Sequence, residues 1–205
     1  MTAPEPDATA PTGSVVVGED GLARCPWGLS TEDYVEYHDT EWGVPVHGDD
    51  ALFERLCLEA FQSGLSWITI LRRREGFRAA FAGFEIAKVA EFDDADVTRL
   101  LDDTGIIRNR AKIVACIANA KVAVALPAGG LDTLIWSHAP KGRRRKAPRT
   151  VADVPATTPE SEALAKDLRK KGFRFVGPTT AYAMMQACGL VDDHLADCHA
   201  RRAAV

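Results

Sequence analysis

Glu59 is the acid whose setting most suggests chemistry. It lies in a stretch whose apolar residues recur with the period of a helix, namely Leu52, Phe53, Leu56, Cys57, Ala60 and Phe61. A carboxylate on the buried edge of such a helix costs free energy unless it has partners or a task. Aromatic residues flank it in sequence: Tyr34, Tyr37, Trp42 and Trp67. An acid among aromatic rings suits a flat, cationic ligand, because the rings stack on it and attract its charge. The same residues could also be core filler beside a solvated acid.

Histidine and cysteine residues near the two ends of the chain have the chemistry of metal ligands. They are Cys25, His38, His194 and Cys198, and the last two are spaced to share one face of a helical turn. Two thiolates and two imidazoles can complete a closed tetrahedral zinc site, which would clip the two ends together. The spacing is equally compatible with free surface thiols and a helix-end imidazole. His47 and His199 are competing donors.

Residues 100–113 predict two helices joined by a tight turn at Gly105. Such a helix-hairpin-helix can aim backbone N–H groups at a phosphate while basic side chains flank it. Arg108, Arg110 and Lys112 are placed for that role. An ordinary corner between two helices, with Gly105 as a C-cap, would give the same pattern.

The elements that must position these side chains are almost all helical. Apolar periodicity and capping residues predict helices over 49–64, 66–71, 93–101, 109–126, 131–136, 159–172 and 178–189. Asp49 or Asp50 is expected to cap the first of them. Strand-like alternation is nearly absent, since residues 174–176 are the one candidate and are too short. We therefore predict an all-α fold without internal repeats, with a basic surface loop over 139–157.

The length of 205 residues suits one compact unit or two small lobes that share a cleft. We expect the helical domain, with two lobes around a pocket, to span residues 24–198. Residues 1–23, rich in Pro, Ala and Thr, predict a disordered tail, and residues 199–205 a short C-terminal tail. The apolar runs are too short for a spanning helix, so we expect no membrane contact and a cytoplasmic location. An odd count of five cysteines indicates reduced thiols. The net charge of −4 argues weakly against nucleic-acid binding, but clustered bases leave a local basic face possible.

Several longer strings resemble those of bacterial 3-methyladenine DNA glycosylase I. They are RCPW (24–27), YHDTEWGVP (37–45), LEAFQSGLSWIT (58–69), GIIRNRAKI (105–113), GFRFVGPTT (172–180) and QACGLVDDH (186–194). The resemblance covers residues 24–198, and the order and spacing of the strings agree. It implies a protein of the helix-hairpin-helix glycosylase superfamily, with one structural zinc ion held by Cys25, His38, His194 and Cys198.

The resemblance also implies the reaction and the roles of the pocket residues. A monomeric, monofunctional enzyme would hydrolyse the N-glycosidic bond of N3-methyladenine in alkylated double-stranded DNA, releasing the free base. Glu59 and Tyr37 would read the edge of the adenine, Trp67 would cover its face, and Tyr34 would lie nearby. Methylation already makes the base a good leaving group, so selectivity and much of the rate would come from extruding the base into a pocket that prefers the cation.

Asp132 is a second acid to consider. Many relatives in the superfamily carry a catalytic aspartate beyond the hairpin, at about this spacing. The resemblance argues against that role, because this family is understood to lack the acid. We expect Asp132 to cap the short helix that ends at Trp136.

Two other classes of function fit parts of the pattern. A non-catalytic helix-hairpin-helix DNA-binding module stabilised by zinc would need the hairpin, but it has no reason to bury Glu59 between Tyr37 and Trp67. A zinc-stabilised interaction domain would have no use for Arg108 and Arg110. Release of free base from methylated DNA distinguishes all three classes.

Overall fold

Helices make up nearly all of the regular structure in the computed structural model, which describes residues 13–141 and 145–202. In chain order they are α1 (Glu32–Thr40), α2 (Asp49–Gln62), α3 (Trp67–Leu71), α4 (Arg74–Ala80), α5 (Ile86–Ala90), α6 (Asp94–Asp102), α7 (Arg110–Val124), α8 (Gly130–Ser137), α9 (Pro159–Lys171) and α10 (Pro178–Ala187). Short 3-10 turns cover Pro26–Leu29, Ala82–Phe84 and Val151–Asp153. The predicted all-α fold is confirmed. Within the described ranges, no helix is both long and apolar enough to cross a membrane.

Each helix predicted from the sequence forms close to its expected bounds. The Asn109 side chain accepts a hydrogen bond from the Lys112 N–H at the start of α7, and Pro159 occupies the first turn of α9 after the Thr158 cap. Helices α1, α4 and α5 were not predicted. The last two have only 7 and 5 residues, too few for a clear apolar period.

The N-terminal segment departs from its prediction. Strand β1 (Val16–Val17) pairs antiparallel with strand β2 (Ala23–Arg24), and the His199 N–H donates to the carbonyl of Ala23. The disordered tail expected over 1–23 is therefore wrong for residues 13–23, because strand pairing and the C-terminal segment satisfy their backbone groups. Residues 1–12 and 203–205 lie outside the described part of the chain.

Helix α2 runs through the core and packs against α3, α7, α8 and α10. Its apolar residues from Leu52 to Phe61 are buried. The ring of Phe61 packs on Phe77, Phe77 on Phe81, and Phe81 on Phe84. Gly189, just beyond α10, has a φ of 72°, and a Cβ there would lie 2.6 Å from the backbone of Val44 and Pro45. Only glycine allows this approach, which seats α10 against the segment after α1.

The caps of α2 and α8 are exchanged between the two helices. The Asp49 carboxylate accepts from the N–H groups of Gly129 and Asp132 at 2.9 and 2.8 Å, at the start of α8. The Asp132 carboxylate in turn accepts from the Gly48 N–H at 2.6 Å, at the start of α2. Asp50 caps the start of α5 through the Ile86 N–H. The predictions that Asp49 or Asp50 caps α2 and that Asp132 caps its own helix are wrong, because each carboxylate satisfies a neighbouring helix.

Candidate active site

A cavity of about 290 Å³ opens beside the middle of α2. Its volume is near the lower limit of small-molecule pockets and suits one flat heterocycle. The acid and the aromatic residues singled out in the sequence all line it. The lining residues are Cys25, Trp27, Tyr34, Tyr37, Trp42, Glu59, Gln62, Trp67, Val151, Val154, Ala183, Gln186, Asp193 and Leu195.

Glu59 faces this cavity from α2 and is only 5% exposed. No described residue donates a hydrogen bond to its carboxyl group. Burial raises the pKa of Glu59 to about 8, although the positive charge of Arg55, one helical turn away, opposes the rise. The carboxyl group is therefore largely protonated near neutral pH. A cation bound beside it would favour the ionised form.

Tyr37 and Trp67 form an aromatic wall next to this acid. Tyr37 lies on α1 and is 4% exposed, and its ring centroid lies 5.5 Å from that of Trp67. Burial raises the pKa of the Tyr37 hydroxyl well above its usual value, and the nearby charge of Glu59 adds to the effect. The phenol therefore remains a neutral hydrogen-bond donor at any physiological pH.

Tyr34 acts on the same wall through the backbone. Its hydroxyl oxygen accepts a hydrogen bond of 3.0 Å from the N–H of Ile68, in the first turn of α3. This contact holds the start of α3, and with it the Trp67 ring. Trp27 closes the cluster, with ring centroids 5.7 Å from Tyr34 and 5.0 Å from Trp42.

Three of the predicted metal ligands lie together beneath the cavity. The donor atoms of Cys25, His38 and Cys198 lie within 4.8 Å of one another, and all three residues are buried. The thiol of Cys25 and the ring of His38 lower the pKa of Cys198 to about 3. His38 Nδ1 lies 2.7 Å from Asp39, which leaves Nε2 facing the Cys198 sulfur at 3.4 Å. A carboxylate behind the imidazole is the usual second partner of a metal-bound histidine.

His194, the fourth predicted ligand, lies beside this cluster without facing it. Its ring centroid is 4.8 Å from that of His38, but Nδ1 lies 3.1 Å from Asp192 and Nε2 lies 3.4 Å from the carbonyl oxygen of His38. Of the two competing donors, His199 lies next to His38, and their donor atoms are within 4.8 Å of each other. His199 contacts the Asp39 carboxylate, and His47 pairs with Asp132.

Residues 103–109 join α6 to α7, where the sequence predicted a turn between two helices, but the residues around this turn are used differently than expected. Arg108 and Arg110 are exposed. Lys112 is only 8% exposed, and its Nζ donates to the carbonyl oxygens of Phe61 at 2.8 Å and Ser63 at 2.6 Å. The prediction that Lys112 contacts phosphate is therefore wrong, because the ammonium is committed to the end of α2. The Gly105 N–H is also engaged, by its neighbour Asp103.

Comparison with known proteins identifies the family. Residues 27–202 match the methyladenine glycosylase family. The chain belongs to that family. It is 45% identical to DNA-3-methyladenine glycosylase 1 of Escherichia coli, over 86% of this chain and 96% of the relative. A crystal structure of a 3-methyladenine DNA glycosylase I superposes with a TM-score of 0.83 and 44% identity, covering 87% of this chain and all of the other. The enzyme from Staphylococcus aureus, solved for its recognition of 3-methyladenine, gives 0.81 and 33% identity, covering 89% and 98%.

This member of the methyladenine glycosylase family has a second acid in its pocket wall, which the sequence analysis missed. Asp193 is 4% exposed and accepts hydrogen bonds from the Tyr182 hydroxyl, from Gln186 Nε2 at 2.9 Å and from the Arg145 guanidinium. Through Arg145, the basic surface loop is tied to the pocket, although residues 142–144 of that loop lie outside the described part. Asp193 stands in a matched string beside His194, and that string was the one available signal.

Proposed function

We propose that this chain is a DNA glycosylase that hydrolyses the N-glycosidic bond of N3-methyladenine in alkylated DNA, releasing 3-methyladenine and leaving an abasic site. The observation that carries the proposal is Glu59, a buried carboxyl group with no donor of its own in an aromatic pocket of the size of a purine. Family membership supplies the reaction class, because the relatives are named for this activity.

Charge is the basis on which such a pocket selects its substrate. Methylation at N3 places a positive charge on adenine in DNA, whereas ordinary adenine is neutral. With a pKa of about 8, Glu59 gives no ion pair to a neutral base, but a cationic base beside it stabilises the carboxylate and pairs with it. The rings of Trp67 and its neighbours add stacking and cation–π attraction. An unmodified base therefore gains less from leaving the duplex stack.

The same features account for the rate without an added acid catalyst. The methylated base leaves as a neutral molecule, so the protein need not protonate it. Glu59 accepts a hydrogen bond from the amino edge of the base, and the Tyr37 phenol, kept protonated by burial, donates to it. Together the two interactions hold the base in its extruded position, where water cleaves its bond to the sugar.

Asp132 takes no part in this chemistry. Its carboxylate is bound to the Gly48 N–H and His47, and it does not line the cavity. Among residues 13–141 and 145–202, those that line the cavity include no lysine. We therefore propose a monofunctional enzyme, without an imine intermediate and without strand cleavage.

The hairpin supplies the grip on double-stranded DNA in this proposal. Arg108 and Arg110 are exposed beside the start of α7, where backbone N–H groups and the helix dipole favour a phosphate. Such contacts bind all sequences alike. We therefore propose that the α6 to α7 pair acts as a helix-hairpin-helix.

We also propose that Cys25, His38, His194 and Cys198 hold one structural zinc ion per chain. The support is the convergence of three buried donors, with a thiolate favoured at Cys198 and the His194 ring adjacent. A closed site of two sulfurs and two imidazole nitrogens leaves no open position for substrate, so the ion would stabilise the fold only. We further propose a monomer that acts in the cytoplasm.

A non-catalytic DNA-binding module accounts less well for the site. Such a module needs the exposed arginines of the hairpin, but it gains nothing from Glu59. Burying an unpartnered carboxyl group costs free energy that a pure binding protein has no reason to retain.

The deciding experiment is single-turnover release of bases from duplex DNA treated with dimethyl sulfate, separated by chromatography. Wild-type protein should release 3-methyladenine far above the spontaneous rate while leaving 7-methylguanine at background, because the two bases present different edges to the pocket. Glu59→Gln should slow release severalfold or more, and Glu75→Gln, an exposed acid on α4, is the matched control. Absence of enzymatic 3-methyladenine release would refute the proposed function.

A further inference from the structure

A second concave surface lies along the first turns of α7. It is lined by Arg110, Ala111, Val114, Ala115, Arg174 and Phe175, and it shares no residue with the base pocket. Its floor is apolar and its two charged members are arginines. Phe175 is 43% exposed and Val114 36%, so a large aromatic ring and a branched side chain face solvent together.

The loop that carries Phe175 is held firmly in place. Asn119, buried on α7, accepts from the Arg174 N–H at 2.7 Å and donates to the Arg174 carbonyl oxygen at 3.1 Å. Phe173 and Val176, on either side, are buried. Phe175 itself has a φ of 56°, a left-handed conformation that costs an L-residue about 1 kcal/mol or more. The fold therefore maintains an exposed aromatic ring against both solvent and backbone preference.

The charged residues that line the groove have one sign. Arg110 and Arg174 are exposed, and within the described ranges neither has a carboxylate partner. Other arginines of the chain, such as Arg74 and Arg78, are paired with acids. Lys170 and Lys171, at the end of α9 and close to Arg174 in sequence, are also exposed. This local positive field on a chain of net charge −4 indicates an anionic partner.

The helix that carries the groove is connected to the base pocket through the end of α2. Arg110 is two residues from Lys112, whose ammonium binds the carbonyls of Phe61 and Ser63. Gln62, between those two residues, lines the base pocket. The groove therefore lies on the helix that Lys112 joins to the rim of the base pocket.

We infer that this groove is a further DNA-backbone site, occupied by one strand of the substrate flanking the extruded nucleotide. The inference rests on the proposed function. Arg110 and Arg174 bind successive phosphates, and the apolar faces of the intervening deoxyriboses pack on Phe175 and Val114. Such a site adds grip and orientation without reading sequence.

The test is the binding of each variant to a duplex that contains a tetrahydrofuran abasic analogue, measured by fluorescence anisotropy over a salt series. Arg174→Ala should weaken binding about fivefold or more and lower the slope of log K against log salt by about one. Phe175→Gly should weaken binding about fivefold with the slope unchanged, because it removes apolar contact only. Because glycine readily adopts the left-handed backbone conformation, the melting temperature of Phe175→Gly should stay near the wild-type value.

Lys121→Ala, an exposed base farther along α7, is the matched control and should bind DNA as the wild type does. Affinities and slopes of the Arg174 and Phe175 variants equal to that control would overturn the inference. So would a concentration-dependent dimer that Phe175→Gly abolishes with DNA affinity unchanged, since the occupant would then be a second copy of the chain. The anisotropy assay measures only binding, because no base is excised from the abasic analogue. If the wild type failed to release bases from methylated DNA, that separate result would refute the glycosylase proposal.

Discussion

The ammonium of Lys112 lies 2.6 Å from the carbonyl oxygen of Ser63, in the turn that follows α2. One buried cation thus joins the hairpin helix α7 to the rim of the base pocket. Desolvation lowers the pKa of Lys112, and the last carbonyls of α2 provide the compensating negative dipoles. The residue belongs to the hairpin in sequence, but it stabilises the pocket in structure.

Replacing Lys112 by Met should therefore affect stability more than DNA charge. The free energy of unfolding should fall by about 1–3 kcal/mol, because two carbonyls lose their donor in a dry environment. The salt dependence of DNA binding should stay at the wild-type slope. Urea unfolding and a salt titration measure the two quantities. Arg108→Ala is the contrasting variant and should lower the slope while leaving stability at the wild-type value. If instead Lys112→Met lowered the slope and left stability unchanged, Lys112 would be a phosphate contact after all.

Glu59 should make the stability of the protein depend on pH. Its pKa rises from 4.5 in the unfolded chain to about 8 in the fold, so the folded state holds the proton more tightly. The stability that this adds is fully present below pH 4.5 and is lost as the pH rises through 8. Between pH 5 and 9 the wild type should lose up to about 4 kcal/mol more than Glu59→Gln. Parallel stability curves for the two proteins would contradict a raised pKa.

Trp67 should contribute stacking on the bound base. Trp67→Ala should weaken binding of free 3-methyladenine by about 1–3 kcal/mol, the usual worth of a base–aromatic stack. Tyr34→Phe keeps the ring but loses the oxygen that accepts from Ile68, so it should weaken binding less. Calorimetric titration gives both values. Equal losses in the two variants would mean that the position of α3, and not the indole face, determines affinity.

The purified protein should contain one zinc ion per chain. Cys198→Ala should lose the ion and melt at a lower temperature, because a closed metal site stabilises only the folded chain. Cys116→Ala, which removes a buried thiol distant from the cluster in sequence, should keep the zinc although it unfolds more readily. Elemental analysis of protein prepared without chelators decides the point. If the wild-type protein contained no zinc, the proposed metal site would be refuted, and the thiols and imidazoles would form only a hydrogen-bonded cluster.

Asp132→Asn should separate capping from catalysis. The amide retains one oxygen for the Gly48 N–H but weakens the interaction with His47 and with the start of α2. Stability should fall by about 1 kcal/mol, while excision of 3-methyladenine stays close to the wild-type rate. A strong loss of excision with normal stability would assign Asp132 to the reaction.

The elements that could be predicted from the sequence are those that a single local pattern determines. The apolar period of α2 fixes both the helix and the burial of Glu59, and local caps mark the starts of α7 and α9. The predictions were wrong where a side chain hydrogen-bonds to an element that is distant in sequence. The exchanged caps of Asp49 and Asp132, and the inward turn of Lys112, depend on which helices become neighbours, and no local rule contains that information.

The meeting of the chain's two ends has a mechanical consequence. His199 donates to the carbonyl of Ala23, and the Leu195 N–H lies 3.4 Å from the Cys25 sulfur. A force applied between Ala23 and His199 acts directly across this junction. The helices that hold Glu59 and Trp67 bear no load until the junction ruptures. Resistance to such pulling is therefore set by a small cluster of thiol, imidazole and backbone contacts at the termini.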